Sequence, residues 1–413
     1  MHRTARTASV AVALAAMFGI SACGGSGGAE VGADEKQTLT VWAMGTEGEK
    51  LVDVAAEYQK KNPNVTVKVT PVGWDVAHQK QVAAAAAGNL PDVMQMGSTF
   101  MGEFAELGVL EPVDTKAFAE KDFFPAAWEG NVVDGTVYGV PWYVDARVLY
   151  YRTDLAEKAG VGKAPATWAE MSALAGAFQE KADTKWGISL QPYNLDAWQN
   201  WLPFFYSAGG ELIKDGKPAL DSEAAVKSLA EYASYFEKGL AKKSVQPGYD
   251  VIKDFGNGSV PMFLSGPWQT VNIAENQPQL KGKWAAAPLP AGTSSTSFAG
   301  GSSLVISKDS EHKPAAREFI KHLTDAKGQA DWYKRTTDLP ANKAAWDDGE
   351  LASDPHLKTF RTQMESAKAI PALAKWAQIG SKIDSAIESV TQGKASPAEA
   401  AEKMQSETAG LVE

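Results

Sequence analysis

The chain has one cysteine, Cys23, and only five histidines, His2, His78, His312, His322 and His356. A lone cysteine cannot close an internal disulfide. With none after residue 23, a thiolate metal site in the body is excluded. The histidines are scattered without metal-ligand spacing, so no metal and no other cofactor is expected. No G-x-S-x-G, Walker A or H-E-x-x-H pattern occurs, which removes three familiar routes to hydrolysis and nucleotide chemistry. After the N-terminal segment no apolar run approaches the roughly 20 residues that a membrane span needs. Basic residues are also in deficit. Lys and Arg number 40 against 50 Asp and Glu, a net charge of −10. An acidic surface argues against nucleic acid as a partner.

What is present begins with an address. Arg3 and Arg6 precede a small-residue apolar run, Ser9 to Ile20, the pattern of a secretory signal. Ile20-Ser21-Ala22-Cys23 resembles a bacterial lipobox. That resemblance implies residues 1–22 as a removed signal peptide and Cys23 as the lipidated mature N-terminus. The anchor would hold the protein at the outer face of the cell membrane. Loss of Arg3 and Arg6 leaves 38 basic against 50 acidic residues, a net of −12. Gly24 to Gly28 has the composition of a flexible tether, which runs over 23–35.

The length predicts two or three domains. Leu39 to Trp42 reads as a strand, and Gly45 to Lys61 as a helix with Leu51, Val54, Ala55 and Tyr58 on one face. Val65 to Val69 alternates as a strand, 75–87 reads as helix, and Pro91 to Met94 opens another strand before a helix over 100–107. This βαβα rhythm predicts an α/β fold with a mostly parallel sheet. Residues 138–151 break it with a long extended stretch of the kind a crossing between lobes needs. Thr167 and Glu170 predict a capping box, Trp186 to Leu190 a strand, and Ser222 to Lys238 a helix. Ser396, Pro397 and Glu399 predict a second capped helix start.

Several landmarks occur in one order: Leu39-Thr40-Val41-Trp42, Leu90-Pro91-Asp92-Val93, Gly139-Val140-Pro141, Leu149 to Leu155, Thr167 to Glu170, Gly209-Gly210, Gly266-Pro267-Trp268, Gly300-Gly301-Ser302 and Leu339 to Asn342. Together they resemble the sugar group of extracellular solute-binding proteins, and the likeness runs from about residue 38 to the end. It implies a two-lobed periplasmic-binding-protein-like fold of type II, with a ligand cleft between lobes joined by a hinge. By analogy lobe one is 36–144 with 299–353, and lobe two is 148–295 with 357–413. The implied role is a monomeric receptor, not an enzyme. It captures a disaccharide or short oligosaccharide and delivers it to the membrane subunits of an ABC importer.

A sugar offers hydroxyls to carboxylates, amides and guanidinium groups, and its C–H faces to aromatic planes. Asp145 and Arg147 lie between Tyr143 and Tyr150, where charge inside an apolar strand needs a partner. The resemblance assigns sugar contact to the Asp145 position; a structural ion pair is the alternative. Thr46 and Glu47 follow the first strand, at the carboxyl end where open α/β sheets bind ligands. Glu47 reads equally as a first-turn helix acid. Trp268 follows a Gly-Pro turn and matches a stacking aromatic of the family. Trp198 and Trp201 share one helix face, one expected in the core and the other at the ligand. Trp376 falls where the family also offers an aromatic, with Trp142 and Tyr143 as weaker candidates. Ser98, Thr99 and Phe100 stand where the family often has charged contacts. Gly300, Gly301 and Ser302 offer backbone N–H groups or a tight turn. A glycoside hydrolase using Glu47 and Asp145 is the rival class, and a peptide, polyamine or metal the rival ligand.

Overall fold

The computed structural model describes residues 30–32, 35–193, 196–246 and 248–412. Cys23, the signal segment and most of the tether lie outside the described residues. The body opens with β1 (Gln37–Met44), α1 (Gly45–Lys61), β2 (Val65–Val72), α2 (Trp74–Ala86), β3 (Val93–Gly97) and α3 (Met101–Glu106). β1 alternates, with Leu39, Val41 and Ala43 fully buried. α1 covers that face with Leu51, Val54, Ala55 and Tyr58, and its ends carry Glu47 and Lys60–Lys61, matched to the helix dipole. β1 runs parallel to β2 and to β3, as right-handed crossovers through helices require.

The extended stretch splits into β4 (Val140–Ala146) and β5 (Val148–Arg152), with Arg147 alone between them. The two strands belong to different sheets. β4 joins the first. β5 lies between β6 (Met262–Ser265) and β7 (Trp284–Ala287), antiparallel to both, as the sheet of a second lobe. The four longest helices of that part of the chain are α4 (Trp168–Ala182), α5 (Trp198–Ser207), α6 (Glu223–Glu237) and α7 (Trp268–Asn276). β8 (Phe298–Ile306) then returns to the first sheet and inserts between β3 and β4. After α8 (Lys313–Thr324) and α9 (Ala326–Thr336), β9 (Leu339–Pro340) pairs with β4. The chain leaves again through α10 (Pro355–Glu365) and β10 (Lys368–Ala369), and ends in α11 (Trp376–Thr391) and α12 (Pro397–Thr408). The first sheet therefore has the order β9-β4-β8-β3-β1-β2, with β10 beside β8.

Three details depart from expectation. The first sheet is parallel over β2-β1-β3 and between β8 and the short β10. β8 enters from the other lobe and runs antiparallel to β3 and β4, so the sheet is mixed. Trp186 to Leu190 forms no strand. The N–H groups of Gly187 and Ile188 both go to the Leu240 carbonyl, leaving a single bridge from Ser189 to Phe263. At α4, Thr167 accepts from the Glu170 N–H, but the Glu170 carboxylate turns to the Ala166 N–H at 2.7 Å rather than to Thr167. That hydrogen bond, with Lys163 nearby, holds the carboxyl below its ordinary range. The box at Ser396 and Glu399 is complete.

Alternation along β5 sends its residues two ways. Val148 and Tyr150 join the apolar cluster that contains Trp142 and Val144 of the first sheet. Leu149 and Tyr151 join a second cluster with Trp201 and Leu202.

Candidate functional site

The cleft lies where β4 crosses into β5, and its volume is about 670 Å³. From the first lobe it receives Ser98, Thr99 and Phe100, which follow β3, with Asp145, Gly300 and Gly301 from β4 and β8. Trp74, His78 and Glu103 join them from α2 and α3. From the second lobe come Trp198, Gln199 and the α11 face built by Trp376, Gly380 and Asp384. Spacing of four places those three on one side of the helix.

Backbone shape sets the near wall. Gly301 has φ +117°, and a Cβ there would stand 2.3 Å from the Tyr143 carbonyl, so only glycine fits. At Gly300 a Cβ would meet the Asp145 carboxylate at 2.8 Å. The Ser98 N–H donates to the Gly301 carbonyl at 3.2 Å, tying the turn after β3 to β8.

Asp145 is held by Arg147, Nη1 to Oδ1 at 2.9 Å. Arg147 also donates to Gln199 Oε1. His78 Nε2 and Glu103 Oε2 are 2.6 Å apart. Asp384 caps α5 by accepting from the Trp198 N–H at 2.8 Å, and Asp196 accepts from Trp198 Nε1 at 3.2 Å. Burial first, and the charge of Asp196 second, push the Asp384 carboxyl up to about 6. Each cleft acid thus has a partner while retaining free lone pairs, the condition for accepting from hydroxyls. The apolar surfaces stand beside them. Trp198 and Trp376 meet edge to face with ring centres 5.2 Å apart, and Trp74 projects from α2 with 43% exposure.

Of the other sequence candidates Tyr143 lines the cleft, and the rest sit elsewhere. Glu47 lies outside the lining and accepts from the Tyr143 hydroxyl at 2.7 Å. Thr46 is exposed beside it. Glu47 is thus taken up by the Tyr143 hydroxyl and Asp145 by Arg147. Tyr143 also accepts from Ser302 at 3.1 Å and from Gln95 at 3.3 Å. Its burial holds the phenol well above its ordinary range. Ser302 is buried in this network beneath the cleft rather than in its wall. Trp201 is a correction. It is fully buried and stacks on Phe205 at 5.0 Å, because α5 packs on nearly every side. Trp142 is likewise core, against Trp332. Trp268 lies beyond Arg147, in an adjoining hollow.

Sequence reasoning missed Trp74, Gln199 and Asp384. Trp74 follows the carboxyl end of β2, the same rule that singled out Glu47, and was findable. Among the described residues no group of three His, Cys, Asp or Glu has the arrangement to hold a metal, and no helix is long and apolar enough to cross a membrane.

Residues 43–330 match a family described as bacterial extracellular solute-binding protein. The sugar-binding protein MalE of Xanthomonas citri has a structure similar to this one, with TM-score 0.85 and 34% identity, covering 91% of this chain and 97% of that one. The GacH receptor of Streptomyces glaucescens, solved unliganded and with acarbose, gives TM-score 0.79 and 26% identity over 91% and 98%. The maltodextrin-binding protein MdxE of Bacillus subtilis is 27% identical over 406 residues, 93% of this chain and 92% of its own.

Proposed function

The chain belongs to the family of bacterial extracellular solute-binding proteins, and we propose that it is the carbohydrate receptor of an ABC importer. It binds and does not catalyse. The carrying observation is the cleft at the β4–β5 junction, where Trp74, Trp198 and Trp376 stand among partnered acids from both lobes. Aromatic faces suit the C–H side of a pyranose, and carboxylates that already hold one donor accept further hydroxyls. An acid box for a polyamine would instead leave its carboxylates without protein cations. Here Asp145 is neutralised by Arg147. The similarity to MalE and MdxE supports the same class of ligand. A disaccharide or short oligosaccharide is the size we propose.

Ligand touching both lobes favours the closed state by its differential affinity for it. Lobe one is proposed as 36–144 with 299–353, lobe two as 148–295 with 357–413. The closed form then docks on the importer's membrane subunits, where other chains spend ATP. The receptor acts as a monomer outside the cytoplasm, held to the membrane by lipid on Cys23.

A thermal-shift screen of the chain from residue 36 tests this, against sugars, amino acids, polyamines and metals. A ligand bound by the native state alone raises Tm. The reading predicts a shift with one sugar family and recovery of that sugar uncleaved. A shift with polyamine alone overturns the ligand, and cleaved sugar overturns the class.

A further inference from the structure

Beside the main cleft is a second hollow of about 290 Å³. Arg147, Asp196 and Gln199 line both spaces, so these residues form the wall between them. The far side carries Trp268 and Tyr249 with the amide groups of Gln191 and Asn200. The Tyr249 ring is fixed, since its hydroxyl donates to Asp254 at 2.8 Å and accepts from Lys242 at 3.1 Å. Trp268 is 41% exposed, a large apolar ring left open at the hollow's edge.

The wall is built around one side chain. The Arg147 guanidinium lies 4.9 Å over the Trp268 ring and 5.0 Å from the Phe298 ring. Asp145 and Gln199 hold its two terminal nitrogens. A guanidinium on an aromatic face occupies the position that a sugar ring would take. Its backbone is the single residue between β4 and β5, so the wall stands on the junction itself.

We infer that Arg147 is a partition that sets ligand length. It occupies the Trp268 face and keeps the second hollow, a subsite for one further pyranose ring, from joining the main cleft. A ligand longer than the main cleft must lift the guanidinium from Trp268 and break its bond to Gln199. The proposal rests on the carbohydrate reading of the cleft.

The test uses titration calorimetry with α-1,4-linked gluco-oligosaccharides from the disaccharide to the heptasaccharide, on the wild type, R147A and Q199A. D145N/R147A guards against a folding failure caused by the orphaned Asp145. In the wild type, affinity stops rising once the main cleft is filled. In the variants it continues to rise for one more ring, by about tenfold, the order of one aromatic platform. Acrylamide quenching gives a readout free of sugar. The contribution of Trp268, taken by difference with W268F, increases when Arg147 is removed. Equal chain-length profiles in proteins that bind sugar overturn the partition alone. Unchanged Trp268 quenching overturns it without reference to any ligand. Absence of binding by this series in every protein overturns the length role for α-1,4-glucans, and the carbohydrate reading falls only if the wider sugar screen is also blank.

Discussion

Replacing Asp338 by Asn should make the protein more stable, and only above mildly acidic pH. Asp338 precedes β9, whose Leu339 pairs with Val144 beside Asp145. Its carboxylate accepts from Trp332 Nε1 at 3.0 Å, and among the described residues no ion pair forms on it. Burial first, then the charges of Glu47 and Asp145, push the carboxyl from an ordinary 3.8 to about 7. The folded state then holds a proton that the unfolded state has released, so stability is present at low pH and falls as pH rises from about 4 to about 7. Three pH units at 1.36 kcal/mol each correspond to about 4 kcal/mol. Asn keeps an acceptor for Trp332 and removes the charge. Urea unfolding of both proteins at about pH 3 and about pH 8 measures the difference. D338N should match the wild type in acid and exceed it by up to about 4 kcal/mol in base. Parallel pH profiles would refute the placement of this charge among Glu47 and Asp145.

Trp74→Ala should weaken sugar binding about tenfold with little change in Tm, because the ring is exposed at the cleft and supports no core; calorimetry and a melt on one preparation show both. Gly301→Ala should destabilise by about 2 kcal/mol or more, since its φ of +117° and the Tyr143 carbonyl leave no room for a methyl group; denaturant midpoints give the value. Ser396→Ala should cost about 1 kcal/mol through loss of the α12 cap, with no effect on ligand affinity.

Local chemistry was legible in the sequence. α1 runs from Gly45 to Lys61, as its periodicity predicts, and Ser396, Pro397 and Glu399 cap α12. Both signals live within one turn of chain. Long-range pairing was not legible. Nothing local says that β8 runs antiparallel between β3 and β4, because that depends on a return from another lobe. The two tryptophans of α5 show the same limit. Spacing places Trp198 and Trp201 on one face, but only Trp198, at the helix start, meets Trp376 across the chain. Arg147 was visible as a charge in an apolar strand. Its seat between Trp268 and Phe298 depends on three distant segments meeting.

The division of β5 between two apolar clusters has a calorimetric consequence. Tyr150, Phe263 and Phe255 of the second lobe share one continuous cluster with Trp142 and Phe319 of the first. Opening the first lobe would expose this part of the second, which also keeps a separate cluster around Trp201, Phe205 and Tyr232, so the shared cluster couples the two lobes. Heating should therefore melt the two lobes as one cooperative unit, in a single heat-absorption peak whose calorimetric and van't Hoff enthalpies agree.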